Sequence, residues 1–220
     1  MRRSIGGFSD SVEVRRLVAG VFLAVAAVLP ASPAGSTCPN LVDCRIQEDT
    51  GGIWTVARSP EFPAVLIGLT AGGAVWQGDG TRLGRTLWQS LDAAAVSGAA
   101  TFAVKCIFQR ARPRQSTDPN EWFSGLSHQS FPSGDVSSVA ALVTPVVLEY
   151  GPGSWLIYGL VAIPVFDMVA RTKRRAHWWT DVLAGSAVGA GSGWLAHSLS
   201  SPLIVRLLPE GFRVGLTREF

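Results

Sequence analysis

Five apolar stretches, each of helical length and each closed by a turn, a proline or a charged loop, constrain this chain more than any other feature. They run from Pro63 to Trp76, Leu87 to Phe108, Val136 to Tyr150, Trp155 to Ala170 and Val182 to Leu199. Their length and period read as helices rather than strands. Gly151-Pro152-Gly153 is a clean break between two of them. Pro63 and Pro132 stand at or just before helix starts, where proline is tolerated. Pro145 and Pro164 fall inside apolar helices, which a bundle in lipid accommodates. Gly185, Gly189 and Gly193 recur at four-residue spacing, a pattern that lets one helix approach another closely. The expected fold is all-α, an antiparallel helical bundle of about five to six helices with short connections, set in a membrane. Composition agrees. Hydrophobic residues make up 47% and charged residues 16%, against roughly 25% charged in ordinary soluble domains. That excludes a disordered, collagen-like or coiled-coil chain. Asp92, Lys105, Glu149 and Asp167 interrupt or end the apolar runs.

Ahead of the helices lies an export-type beginning. Arg2, Arg3, Arg15 and Arg16 precede an apolar run from Leu17 to Leu29, followed by small residues around Ser32 and Ala34. The run is short for a membrane span of roughly 20 residues and suits a signal-peptide core. Residues 1–34 are therefore a signal peptide or a first membrane helix. Residues 35–62 form a polar extracytoplasmic segment, 63–200 the helical core and 201–220 a C-terminal tail. Cys38 and Cys44 could close a small disulfide loop in an oxidising compartment. Cys106 sits in an apolar stretch and reads as a packed core thiol. No metal-ligand spacing occurs, and neither a metal nor a cofactor is expected.

Following the helices up and down brings two loops to one end of the bundle, residues 109–134 and 171–181. These loops hold the unusual chemistry. Lys105 and Arg112 are seven residues apart, two helical turns, and so share a face near a helix end. Ser133-Gly134 follows a proline at a helix start, where backbone N–H groups make an anion site. Arg171 adds a third cation that can fork onto two oxygens. Three cations, a hydroxyl and free N–H groups suit a tetrahedral oxyanion, most simply phosphate. His177 and Asp181 are four apart at a helix start. Asp181 can accept from one ring nitrogen and leave the other free, an oriented nucleophile or base.

The same blocks, Lys105-x6-Arg112-Pro113, Pro132-Ser133-Gly134 and Arg171-x5-His177-x3-Asp181, resemble the signature of the type 2 phosphatidic acid phosphatase superfamily over roughly residues 85–200. The resemblance implies a six-helix core with the site at one end, a phosphohistidine intermediate and no metal. By position it implies that Lys105, Arg112 and Arg171 bind phosphate oxygens. Ser133 would donate its hydroxyl and Gly134 its backbone N–H. His177 would attack phosphorus, and Asp181 would orient it. Two positions depart from the pattern. Ala170 stands where the family often has serine, and Asp135 where it has the histidine that protonates the leaving group. A free aspartic acid titrates near 3.9. An acid role for this residue type therefore needs surroundings that favour its protonated form, or a leaving group that needs little protonation, such as a diphosphate attacked at its terminal phosphorus. His128, seven residues upstream, reads as an ordinary loop histidine and is the alternative acid.

The expected activity is a metal-independent phosphatase acting on a phosphomonoester or diphosphate. The expected partner is a phosphorylated lipid or an isoprenyl phosphate or diphosphate, at a membrane and without nucleic acid. The basic run Lys173-Arg174-Arg175 suits anionic headgroups, and Trp122, Trp178 and Trp179 suit a membrane interface. Lysines and arginines divide almost evenly between the two ends of the bundle, so charge does not set its sidedness. The export-type N-terminus and the cysteine pair favour a bacterial-type inner membrane with the site facing the periplasm. A soluble periplasmic acid phosphatase, a vanadate-dependent haloperoxidase and a catalytically silent phospholipid binder are the competing readings.

Overall fold

The computed structural model describes residues 42–46, 48–49, 51–56, 61–151, 155–199 and 202–204. The expected signal peptide or first helix, Cys38 and nearly all of the C-terminal tail lie outside these residues. The described residues form five α-helices and one short 3-10 turn, Gly52–Thr55, with no strand among them. The helices are α1 (Glu61–Gln77), α2 (Arg82–Phe108), α3 (Gly134–Tyr150), α4 (Trp155–Lys173) and α5 (Trp179–Ser198). Each matches one of the five apolar stretches.

Local chemistry sets the helix ends. The Thr81 hydroxyl accepts from the Gly84 N–H at 2.9 Å and caps α2. At the other end Gln109 adopts a left-handed conformation, φ 44°, and its N–H closes on the Lys105 carbonyl. Arg112 therefore lies on a loop and not on the helix that carries Lys105. Asp181, three residues into α5, accepts from the Trp178 N–H at 2.8 Å, as one half of a capping box does. Asp92, the charge inside the α2 run, accepts from the N–H groups of Leu203 and Ile204.

α3 is the central helix and packs most extensively on α5 and α2. The glycine spacing on α5 is the reason. A methyl group added to Gly185 would stand 2.4 Å from the Ser133 carbonyl oxygen. On Gly189 it would stand 2.2 Å from the Ser137 oxygen, and on Gly193 2.5 Å from Thr144 Cβ. The three glycines thus form a continuous seam along which the α5 backbone lies against α3. Other small residues are buried: Ala93, Ala141 and Ala196 form one cluster, and Ser90, Ser97, Ser137 and Thr101 are buried. A second cluster is larger, Val136, Met168, Trp179 and Val182. Many other large apolar side chains face outward, among them Leu69, Trp76, Phe102, Trp155, Tyr158 and Trp194. By length and composition, α2 and α4 are each able to cross a membrane.

The up-and-down course places two sets of helix ends together. At one end Glu149, on α3, pairs with Arg82 of α2 and accepts from or bonds His197 Nε2 of α5 at 3.1 Å. At the other, Lys105 Nζ donates to the Gln129 carbonyl at 2.7 Å, and Arg171 reaches Asp135. The segment preceding the bundle also lies at this second end. Its Ile46 carbonyl accepts from Arg175 Nε at 2.9 Å, and its Asp49 N–H donates to the Lys173 carbonyl at 3.0 Å. Cys44 in this segment is disulfide-bonded. Cys106 carries a free thiol and is half-buried rather than packed in the core.

Gly189→Ala forces its new methyl against backbone on α3, where no flexible side chain can yield. The expected cost is roughly 1–3 kcal/mol, read as a lower thermal unfolding midpoint in detergent than for Gly191→Ala, whose methyl meets nothing within 4 Å.

Candidate active site

The two loops that the helix order brings together form a single buried cluster. Ser133 is the N-cap of α3 and Gly134 its first residue. The Ser133 hydroxyl is fully buried and has no hydrogen-bond partner. A buried hydroxyl in that state normally answers to a ligand or water. A methyl built on Gly134 would stand 3.6 Å from Lys105 Cε, so the α2 lysine lies beside the start of α3. Arg112 belongs to the same cluster: burial and the neighbouring Arg114 hold its guanidinium below its ordinary value, Asp135 and Asp181 act in the opposite sense, and Arg171 again lowers it. Lys105, Arg112 and Arg171 thus converge on the first turn of α3 although they come from a helix, a loop and a second helix. Crowded, partly dehydrated cations beside a helix N-terminus make a strong anion site.

Arg171 is held from two sides. Its Nε donates to Asp167 Oδ1, one turn back on α4, at 3.0 Å. Its Nη1 donates to Asp135 Oδ2 at 2.9 Å. Asp135 keeps 30% of its side chain exposed. His128 bonds its neighbour Ser127 at 3.1 Å.

His177 is buried, 3% exposed. Its Nδ1 lies 2.8 Å from the carbonyl oxygen of Ser130. A carbonyl oxygen only accepts, so Nδ1 carries the proton and Nε2 keeps its lone pair. Asp181 Oδ2 is 3.8 Å from Nδ1, beyond hydrogen-bond range. The sequence pattern placed Asp181 directly on the ring; the Ser130 carbonyl holds that place. Asp181 stands behind it, accepting from the Ser130 hydroxyl at 2.5 Å, the Trp178 N–H at 2.8 Å and Arg110 Nη1 at 2.5 Å. Asp181 therefore fixes Ser130 from one side while Ser130 fixes His177 from the other. Burial lowers the His177 pKa below 6.5, the nearby Lys105 and Arg112 act in the same sense, and Asp181 opposes them.

Two elements of the site carried no role in the sequence reading. Ser130 acts through its backbone carbonyl, which any residue would supply. Arg110 stood inside the first motif block without an assigned function, yet it is fully buried and bonded to Asp181. One expectation is corrected. Trp178 and Trp179 are not interface anchors: both are buried. Trp178 Nε1 donates to the Ala111 carbonyl at 2.9 Å, and Trp179 packs with Val136, Met168 and Val182. Phe108 and Phe123, stacked on one another, are exposed at this end.

The bundle thus carries three cations, a helix N-terminus and a buried, tautomer-fixed histidine at one end. The PAP2 superfamily model matches residues 86–204, which contain every one of these side chains, and the chain belongs to that family. Among curated proteins it is similar to a lipid A 1-phosphatase of Porphyromonas gingivalis, 31% identical over 156 residues. The match covers 70% of this chain and 32% of that protein, so the chain spans about a third of its relative's length. Among solved structures it is similar to LpxE of Aquifex aeolicus, with 18% identity, a TM-score of 0.48 and coverage of 65% of this chain and 82% of the other.

The His177 ring is expected to titrate below 6.5, so its neutral form persists into mildly acid solution and is lost only as pH falls through the lowered pKa. The carbon-bound proton shifts of the imidazole measure this by NMR. A midpoint above 6.5 would show that Asp181 outweighs burial and the two cations.

Proposed function

We propose that this chain is a phosphatase that removes phosphate from a lipid-linked phosphomonoester or diphosphate through a phosphohistidine on His177. The observation that carries the reading is the pairing of His177 Nδ1 with the Ser130 carbonyl, which leaves a basic Nε2 in a pocket of phosphate-binding character. In the first step Nε2 attacks phosphorus and the bond from phosphorus to the leaving oxygen breaks. Lys105, Arg112 and Arg171 stabilise the charge spread over the equatorial oxygens, with the Ser133 hydroxyl and the Gly134 N–H. In the second step water attacks the phosphorus, the P–N bond breaks and inorganic phosphate leaves. Asp181 keeps the ring in place through Ser130.

The leaving oxygen needs a proton or must manage without one. The Asp135 oxygen that faces Arg171 accepts a hydrogen bond. This supports leaving groups that depart with little protonation, a diphosphate attacked at its terminal phosphorus above all. Lipid linkage is supported by the lipid A 1-phosphatase relative and by the outward-facing apolar side chains of α1, α2 and α4. Two helices of spanning length support a membrane setting. The disulfide at Cys44, at the same end as His177, supports a site outside the cytoplasm, in the periplasm.

The test is phosphate release in detergent, without added metal, from a lipid monophosphate and an isoprenyl diphosphate, from acid to neutral pH. His177→Ala is expected to lower release by at least about a thousandfold, and Arg171→Gln by about a hundredfold. The diphosphate is expected to be the better substrate and to lose little on Asp135→Ala. Monophosphate cleaved equally well, with no loss on Asp135→Ala, would overturn the leaving-group argument. No release from folded wild-type protein would leave a phospholipid binder that kept the pocket without the chemistry.

A further inference from the structure

The carboxylate that orders Ser130 is itself one end of a buried charge chain, and the far end lies outside the family-matched residues. Arg110 sits between two aspartates. Its Nη1 donates to Asp181 Oδ1 at 2.5 Å, and its Nη2 donates to Asp43 Oδ2 at 2.7 Å. All three side chains are at most 2% exposed. The remaining donors of the guanidinium are also taken: Nε and Nη2 donate to the Pro119 carbonyl at 2.8 and 2.6 Å, and Nη1 to the Thr180 hydroxyl at 2.7 Å. Its plane lies against Trp122, 4.4 Å to the ring centroid, with Trp178 at 5.6 Å. Asp43 does more than neutralise Arg110. Its Oδ1 accepts from the Thr180 N–H at 2.9 Å and its Oδ2 from the Thr180 hydroxyl at 2.6 Å. It therefore grips the first turn of α5, one residue before Asp181 and three after His177.

We propose that Asp43, acting through Arg110 and Thr180, is a positioning residue of the phosphatase site, so that the segment ahead of the helical bundle completes the setting of the nucleophile. Asp181 must hold Ser130 and stay off the histidine ring, and its position is set by how strongly Arg110 draws it. With Asp43 present the guanidinium is shared between two carboxylates. Without it, a fully buried cation faces Asp181 alone, and the α5 N-terminus loses the carboxylate on its exposed N–H. Asp181 then shifts toward Arg110, and the Ser130 carbonyl that orients Nδ1 shifts with it. A merely structural pin for the preceding segment would not need the guanidinium, the hydroxyl and the N–H to converge on one carboxylate. The charged groups acting on His177 are Asp181 from α5, Lys105 from α2 and Arg112 from the following loop, with Arg110 and Asp43 behind Asp181.

This inference rests on the phosphatase reading, and the experiment separates the two. Full-length wild type and Asp43→Asn are compared in detergent for phosphate release, for inorganic phosphate binding and for the His177 ring titration. Asparagine keeps one acceptor oxygen, removes the charge and puts an NH2 group in place of the second acceptor. The expected result is a kcat lower by roughly ten- to a hundredfold, with KM and the phosphate Kd within about twofold, since Lys105, Arg112 and Arg171 are untouched. Loss of the negative charge disfavours the imidazolium, so the His177 titration moves to lower pH. Unchanged kcat with an unmoved titration overturns the proposal. If Asp43→Asn does not fold, Thr180→Val removes the hydroxyl through which Asp43 and Arg110 both hold the first turn of α5, while the direct Asp43–Arg110 pair and the charge stay. A fall in its kcat at constant phosphate Kd supports the role, and wild-type kcat overturns it. If wild type releases no phosphate, the phosphatase reading fails, and the ring titration alone decides whether Asp43 reaches His177.

Discussion

Two helix starts can meet at one end of a bundle only if their backbones approach closely, and in this chain three glycines on α5 make that approach. Gly185 is one turn beyond Asp181, and a methyl there would collide with the Ser133 carbonyl. The Ser133 N–H in turn donates to the Asp181 carbonyl at 2.9 Å. The seam thus joins the N-cap of α3 directly to the helix that carries Asp181. Widening it by one side chain would move Ser133 away from Asp181 with every motif residue left in place. The seam runs on past Gly189 to Gly193, so the same contact that builds the site also holds the middle of the bundle together.

Around that contact the charges are arranged in two layers with different roles. Lys105 and Arg171 are restrained differently, by a backbone carbonyl and by two carboxylates respectively, while Arg112 feels both cations and carboxylates around it. Arg110, only two residues from Arg112, is consumed in the interior by Asp43, Asp181 and a carbonyl. Arginine suits the interior place because its fork satisfies several acceptors at once while its flat face rests on indole rings.

The helices, their order and the convergence of two loops could be read from the sequence because each depends on local pattern: apolar period, turn residues and the parity of an up-and-down chain. Motif spacing likewise named Lys105, Arg112, Arg171 and Ser133, whose neighbourhood at the start of α3 is what the structure adds. What escaped depends on contacts between distant residues or on backbone atoms. The Ser130 carbonyl has no side-chain signature. Asp43 and Thr180 are 137 positions apart, and nothing in a lone aspartate of a polar segment distinguishes it from a solvated one. Trp178 and Trp179 misled for a related reason. Tryptophan beside a charged loop resembles an interface residue, but Arg110 and the Ala111 carbonyl satisfy the Trp178 ring face and N–H inside the fold, and Trp179 packs into the apolar core.

The division of large apolar side chains between the interior and the outside has an energetic corollary. In most folded domains, unfolding is driven in urea or guanidinium by the hydration of newly uncovered side chains, and the steepness of the transition scales with the area uncovered. Here separating the helices would uncover Trp88, Val136, Val139, Met168, Trp179 and Val182, whereas Leu69, Trp76, Phe102, Trp155 and Trp194 are uncovered already and add nothing. Fit between backbones along the glycine seam and buried polar bonds add to that apolar burial. A large share of the apolar surface thus stands outside the unfolding balance in water, and the solvent that matters to it is the one touching the outside of the bundle.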